Sequence, residues 1–343
     1  MTRLYKYYKH CHAIFYTIVY SACSYLGITN TFAQNNAWMR DLADNTPLTE
    51  ISIPGAHNAA TGEGINIPFK IGVTQMLTIS EQWENGIRAF DFRPAVKDST
   101  LHIYHGKLRT KITFEQAIQI LCNKLDAHPT EFAIIIVREE VESESKTESK
   151  LWRELMGECI NRLGTRIANW SSSLTIGDLR GKILLVSRNI YTNNQHISIV
   201  RGWNHSHLGT MAAKIISSTN QHHPIPIRII DHYNSTDRTR MIRKKEAVQT
   251  AINWSKSVDT LIINFLSGYT RTFLHIPGLA TNRGYLQNAA EIHHYFINQS
   301  KAKRIPGIHF FDYVGVDTIK VGVRKYTPMG KKLLNKIIES NFY

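Results

Sequence analysis

Three residues in the first third of this chain have the chemistry to cleave a phosphodiester without a metal. Ser52-Ile-Pro-Gly-Ala-His57 is a short apolar run that ends in histidine, and Leu101-His-Ile-Tyr-His105 is a second. Between them, Ile87-Arg-Ala-Phe-Asp-Phe-Arg93 is strand-like and ends in arginine. An imidazole with an ordinary pKa of about 6.5 is neutral or protonated near neutral pH according to its surroundings. One histidine can therefore take a proton from an attacking hydroxyl while the other gives one to the leaving oxygen. The planar fork of Arg93 fits two phosphate oxygens and would hold the charge between the two rings. A plainer reading stands beside this one. Strand alternation puts Asp91 on the same side as Arg93, where the two can form an ion pair.

These residues need a frame that brings them together. Strand-like runs recur at Glu50–Pro54, Ile87–Phe92, Leu101–Tyr104, Phe132–Val137, Lys182–Ser187, Ile225–Ile230, Leu261–Leu266 and Gly307–Phe311. Several are continuously apolar, the pattern of strands buried on both faces. Helical patterns fall between most of them, at 79–84, 113–126, 144–163, 238–255, 286–300 and 328–340, with a Thr-x-x-Gln capping box at Thr113. Lys97-Asp-Ser-Thr between the second and third runs reads as a hairpin turn. Eight strands with intervening helices predict an irregular (β/α)8 TIM-type barrel forming a single domain. An ionisable residue follows nearly every strand: His57, Arg93, His105, Arg138, Arg188, Asp231 and Asp312. In a barrel those ends converge on one face, the face where active sites form.

Length and charge bound the rest. A chain of 343 residues suits one large barrel, and 43% hydrophobic content suffices for its core. There is no apolar run long enough to span a bilayer. Residues 1–33 combine a basic start (Arg3, Lys6, Lys9), the apolar stretch 13–22 and small residues before Gln34. That is the pattern of a secretory signal, with the barrel expected over 34–343 and a secreted or periplasmic destination. Ser21-Ala-Cys23 is a weaker candidate for lipoprotein cleavage and anchoring. The formal charge of +14 falls by the three basic residues of that segment, which has no acid, to +11. Such a balance favours an anionic partner. Cys122 and Cys159 have no metal-ligand spacing and read as two buried thiols, one disulfide being the alternative. The His222-His223 and His293-His294 pairs read as surface or helix-face residues with no metal. The loops at 64–71 and 269–277 mix apolar and basic residues after strand ends, as an interfacial surface would.

In this order, Ile-Pro-Gly-Ala-His57, Phe90-Asp-Phe-Arg93, Tyr104-His105-Gly106, Gly181 to Arg188 and Phe310-Phe-Asp312-Tyr-Val-Gly315 resemble the bacterial phosphatidylinositol-specific phospholipases C. The resemblance runs from about Leu48 to Val316. It implies a distorted barrel that cleaves phosphatidylinositol without metal; the expectation is no cofactor, a phosphatidylinositol or glycosylated phosphatidylinositol substrate in a membrane, no nucleic-acid partner and a monomer. It implies that His57 is the general base, His105 the general acid, Arg93 the phosphate ligand and Asp312 the carboxylate that orients His57. Arg188, Asp231, Tyr233 and Arg138 match inositol-contacting positions, with Trp203 and Tyr269 as weaker matches. Asn58 departs from the aspartate usual there in the bacterial enzymes, and calcium-dependent relatives use asparagine there as a ligand. Arg93 is a fixed cation where that metal would lie, which disfavours calcium. A glycerophosphodiester-type enzyme on the same barrel and an inactive inositol-lipid-binding relative are the alternatives.

Overall fold

The computed structural model describes residues 35–66, 72–140, 146–189, 198–203, 209–216, 224–254, 260–270, 282–300 and 304–343. The strands are β1 (Ser52–Ala56), β2 (Ala89–Phe92), β3 (Pro94–Lys97), β4 (Thr100–His105), β5 (Leu108–Thr113), β6 (Ala133–Val137), β7 (Ile167–Ala168) and β8 (Ile183–Ser187). They continue as β9 (Ser198–Arg201), β10 (Gly209–Ile216), β11 (Ile225–Asp231), β12 (Leu261–Phe265), β13 (Gly307–Phe311), β14 (Ile319–Val321) and β15 (Arg324–Tyr326). The helices are α1 (Ile79–Glu84), α2 (Phe114–Ala127), α3 (Lys146–Leu163), α4 (Ile176–Leu179), α5 (Arg238–Trp254), α6 (Asn282–Gln299) and α7 (Gly330–Glu339).

Every residue of β1, β2, β6, β8, β12 and β13 is buried. Strands buried on both faces must be covered by helices outside and by one another inside, and they close into a ring here. The order around it is β6, β2, β1, β13, β12, β11, β10, β9, β8, with β8 pairing back onto β6. The barrel is thus a distorted TIM-type barrel as expected, but with nine strands and a different membership. The run at Leu101–Tyr104 lies in β4, which pairs with β3 and β5 in a separate antiparallel sheet. Its partial burial, alternating along Leu101–Ile103, fits a sheet with one covered face. The Lys97 turn joins β3 to β4, with Asp98 and Ser99 both left-handed (φ 50° and 55°), the backbone of a type I′ hairpin. In its place β9 and β10 complete the ring. β10 runs antiparallel to both β9 and β11, so the barrel contains a local reversal.

Parallel register decides which residues meet at the mouth. Ala56 is level with Phe311 of β13 and Phe90 of β2, so His57, Asp312 and Asp91 come out side by side. Phe92 is level with Val137, and Val137 with Ser187, which sets Arg93, Arg138 and Arg188 in a row. The Thr113 capping box opens α2 as expected, with the Thr113 hydroxyl accepting from the Gln116 N–H. Near the opposite end of β2, Arg88 is fully buried and pairs with Glu131. Among the described residues no helix is long and apolar enough to cross a membrane. Cys122 and Cys159 are free thiols.

Candidate active site

His57 leaves β1 into a backbone that turns sharply, since Asn58 adopts φ 46°, ψ 48°. Asparagine tolerates this left-handed conformation better than most residues. The turn is pinned by Asp91, whose Oδ2 accepts from the Asn58 N–H at 3.2 Å. His57 Nδ1 lies 2.7 Å from Asp312 Oδ1, and Asp312 is fully buried. A carboxylate can only accept when ionised, so Nδ1 carries the ring proton and Nε2 presents a lone pair. Two donors fit that tautomer: Arg93 Nη2 and Asn58 Nδ2 each lie 3.1 Å from Nε2.

Across the mouth, His105 comes from the end of β4. Its Nδ1 donates to the Gly72 carbonyl at 2.6 Å, which leaves Nε2 free to point elsewhere. The two imidazole rings stand 6.4 Å apart between centroids at 76°. Burial, then the positive charge of Arg93, pushes the His105 pKa down to about 4, against the Gly72 carbonyl, which raises it. Arg93 lies against His57, and its charge acts on His105. It donates from Nη1 to Glu140 at 3.3 Å and from Nη2 to Asp91 Oδ2 at 3.4 Å. Burial alone would lower its pKa, but Glu140, Asp91 and Asp231 outweigh that and hold it above its ordinary value. Burial would raise Glu140, yet Arg93, the Gly106 N–H at 2.5 Å and the nearby His105 and Arg138 charges bring it down to about 2. Glu140 thereby ties the turn that carries His105 to Arg93.

The remaining residues form a second group beside this one. The Arg188 guanidinium lies 3.9 Å from the centre of the Trp203 ring and 3.7 Å from Asp231 Oδ2, while Trp203 Nε1 donates to the same oxygen at 3.0 Å. Burial pushes Arg188 down to about 10, opposed by Asp231 and assisted by Arg93 and Arg138. Arg138 follows β6, and its charge acts on Glu140, Arg188 and Tyr233. Tyr233 and Tyr269 face one another at 6.1 Å between ring centres. All eleven residues expected from the sequence therefore gather at one end of the barrel. The expected membrane loops at 64–71 and 269–277, including Phe69 and Phe273, fall largely outside the described residues, as do residues 1–33 and His222-His223. His293 is not on the surface; it is buried, with its Nδ1 2.6 Å from the Pro328 carbonyl.

Three participants were not expected. Glu140 stands two residues past Arg138, where a lone acid after a strand reads as solvated. Gln75 is fully buried and donates to the carbonyls of both His57 and Phe311 at 2.9 Å, while accepting from the Val314 N–H at 3.0 Å. It staples the end of β1 to the end of β13, and so His57 to Asp312. Lys244 of α5 is buried behind the mouth, donating to the carbonyls of Phe265 at 2.6 Å and Ser267 at 2.7 Å. Burial brings it down to about 7, with Asp231 and Asp312 opposing. Four of the twelve buried side-chain atoms without a hydrogen-bond partner among the described residues collect here: Asn58 Oδ1, Asp91 Oδ1, Arg93 Nε and Asp312 Oδ2. Unsatisfied buried groups are costly, and a cluster of them marks a place built to meet something polar. Among the described residues no group of three His, Cys, Asp or Glu has the arrangement of a metal site.

Fold and mouth together are those of a distorted TIM-type barrel that gathers two histidines, arginines and carboxylates at one end. No protein-family model matches the chain. A protein of Listeria monocytogenes named 1-phosphatidylinositol phosphodiesterase is 28% identical over 296 residues, 82% of each chain. One of the same name from Staphylococcus aureus is 24% identical over 241 residues, 67% of this chain and 74% of its own. Among solved structures, a variant of the phosphatidylinositol-specific phospholipase C of Staphylococcus aureus superposes with a TM-score of 0.70 at 21% identity, over 88% of this chain and 96% of that one. The Listeria monocytogenes phosphatidylinositol-specific phospholipase C gives 0.61 at 21% identity, over 91% and 100%. Over most of its length the chain is similar to bacterial proteins of that name and shares the barrel fold of the solved enzymes.

Proposed function

We propose that this protein cleaves phosphatidylinositol, free or glycosylated, to diacylglycerol and inositol 1,2-cyclic phosphate without a metal. The observation that carries this reading is the His57–Asp312 pair at 2.7 Å with Arg93 at 3.1 Å from the free ring nitrogen. His57 Nε2 takes the proton of the inositol 2-hydroxyl as its oxygen attacks phosphorus. Asp312 stabilises the imidazolium that results. The bond from phosphorus to the glyceryl oxygen breaks, and His105 Nε2 supplies that oxygen with a proton. Arg93 meets the charge building on the non-bridging oxygens. In the empty site His105 holds its proton weakly, and the arriving phosphate anion would raise its affinity.

Arg188, Asp231, Arg138, Tyr233, Trp203 and Tyr269 would receive the inositol ring, offering donors, an acceptor and aromatic faces to a polyol. The carboxylates around Arg93 are engaged with it: Asp91 accepts from Arg93, and Glu140 is paired with it. Asn58 directs its amide nitrogen at His57. Neither arrangement favours a calcium-dependent reaction. Residues 1–33 fit an export leader, with residues 34–343 as the exported barrel, and sequencing the N-terminus of the secreted protein tests that assignment.

The deciding experiment is phosphorus NMR of phosphatidylinositol vesicles treated with the protein in excess EDTA. A five-membered cyclic phosphate signal is the expected result. Product only on adding calcium would overturn the metal-free route, and product in neither condition would overturn the activity.

A further inference from the structure

The chain leaves the mouth after Asp312 and makes a hairpin that the proposed chemistry does not use. Its base is closed on itself. Gly330 N–H donates to the Val316 carbonyl at 2.8 Å, and Asp317 Oδ1 accepts from the N–H groups of Lys331 and Lys332 at 3.0 and 3.1 Å. β14 and β15 therefore depart from and return to one point at the catalytic end of β13. Val321 pairs with Arg324, leaving a two-residue loop of Gly322 and Val323. Gly322 has φ +61°, and glycine first in such a loop suits a type II′ turn.

The turn sets Val323 at the tip, fully exposed. Lys320, Arg324 and Lys325 are exposed around it, and none makes an ion pair among the described residues. From Thr318 to Ile338 the chain has six lysines and arginines and no acid. The inner side of the hairpin is apolar. Ile319, Val321 and Tyr326 pack on a cluster with Tyr285, Leu286 and Tyr313, and the Tyr285 ring lies 5.7 Å from that of His105. A cavity of about 510 Å³, lined by Met76, Leu286, Tyr313 and Ile319 among others, lies against the hairpin. An apolar tip beside an apolar cavity suits hydrocarbon, and the ring of cations suits anionic headgroups. A nucleic-acid strand would use the cations but not the rest.

We propose that the β14–β15 hairpin is an anionic-bilayer docking element that inserts Val323 beside the catalytic mouth. The inference rests on the reading of the site as one that acts on a membrane lipid. It is tested by sedimenting the full chain with vesicles of phosphatidylcholine alone or mixed with phosphatidylglycerol, neither of which carries inositol. Val323→Asp and the double change Arg324→Gln, Lys325→Gln should each weaken binding to the mixed vesicles by roughly tenfold. Turnover of a short-chain phosphatidylinositol below its micellar concentration should match wild type, since neither variant touches the core or the site. Unchanged vesicle binding in both variants would overturn the proposal. So would an equal loss on the monomeric substrate, or weakened RNA binding with vesicle binding intact. If the wild-type protein cleaves no phosphatidylinositol but vesicle binding still falls in the variants, the docking element stands and the phospholipase reading falls.

Discussion

Two arginines flank β2, one at each end, and they are bonded differently. Arg88, before the strand, is completely enclosed. Its Nε donates to Glu131 at 2.9 Å, Nη1 to the carbonyls of Trp83 and Ile87 at 3.0 and 2.8 Å, and Nη2 to that of Asn36 at 2.5 Å, with the Trp83 ring 3.9 Å away. Arg93, after the strand, keeps a buried Nε without a partner and reaches its acids at 3.3 to 3.4 Å. One guanidinium is finished by the fold and the other is left with capacity. A buried charge whose donors are all met holds the structure together. A charge with unmet donors beside two histidines is poised for an incoming anion.

Substitutions can break that contrast. His57→Ala removes the proposed base beside Arg93 and should lower kcat/KM by about 10⁴-fold, measured on phosphatidylinositol. Arg93→Gln should cost roughly 10³-fold in the same assay. Arg88→Gln should instead cost about 3–5 kcal/mol of stability in urea unfolding, with kcat per folded molecule near wild type. If Arg88→Gln destabilises less than Arg93→Gln, the contrast between the two arginines is wrong. His105→Ala should lose about 10²-fold on the natural substrate, and much less on an analogue with a nitrophenol leaving group, which needs no acid. A loss of equal size on both substrates would remove the acid role from His105. The smallest effect is in pH. With His105 at about 4 in the free protein, kcat/KM should decline as pH rises above that value. The corresponding decline in kcat should begin at higher pH, because bound phosphate favours the protonated ring. Coincident limbs would mean that the phosphate does not reach His105.

Most of the barrel was readable because runs such as Ala133–Val137 and Ile183–Val186 are apolar without interruption. β10 was not. Its Gly209-Thr-Met-Ala-Ala-Lys-Ile-Ile lacks that density, as a strand in an antiparallel reversal can. The error at Leu101–Tyr104 has the same source, since a short apolar run does not report which sheet it joins. It still led to His105, because that hairpin leans over the mouth. The gathering of His57, Arg93 and Asp312 was legible from strand ends alone, as parallel register carries neighbouring ends to one level. Gln75, Glu140 and Lys244 were not, because a glutamine in a loop, an acid past a strand and a lysine on a helix ordinarily face water. Only tertiary packing turns them inward.

The backbone just past the His57–Asp312 pair has its own consequence. Asn58 and Tyr313, each one residue beyond a member of the pair, both lie in the left-handed region, at φ 46° and 55°. A selection for function over all substitutions at these positions would therefore be filtered by conformation before chemistry. At position 58 glycine should survive best and β-branched residues worst. Intolerance at position 313 in such a map would record the turn that aims Asp312 and the buried packing of the Tyr313 ring, and would say nothing about whether that ring meets the substrate.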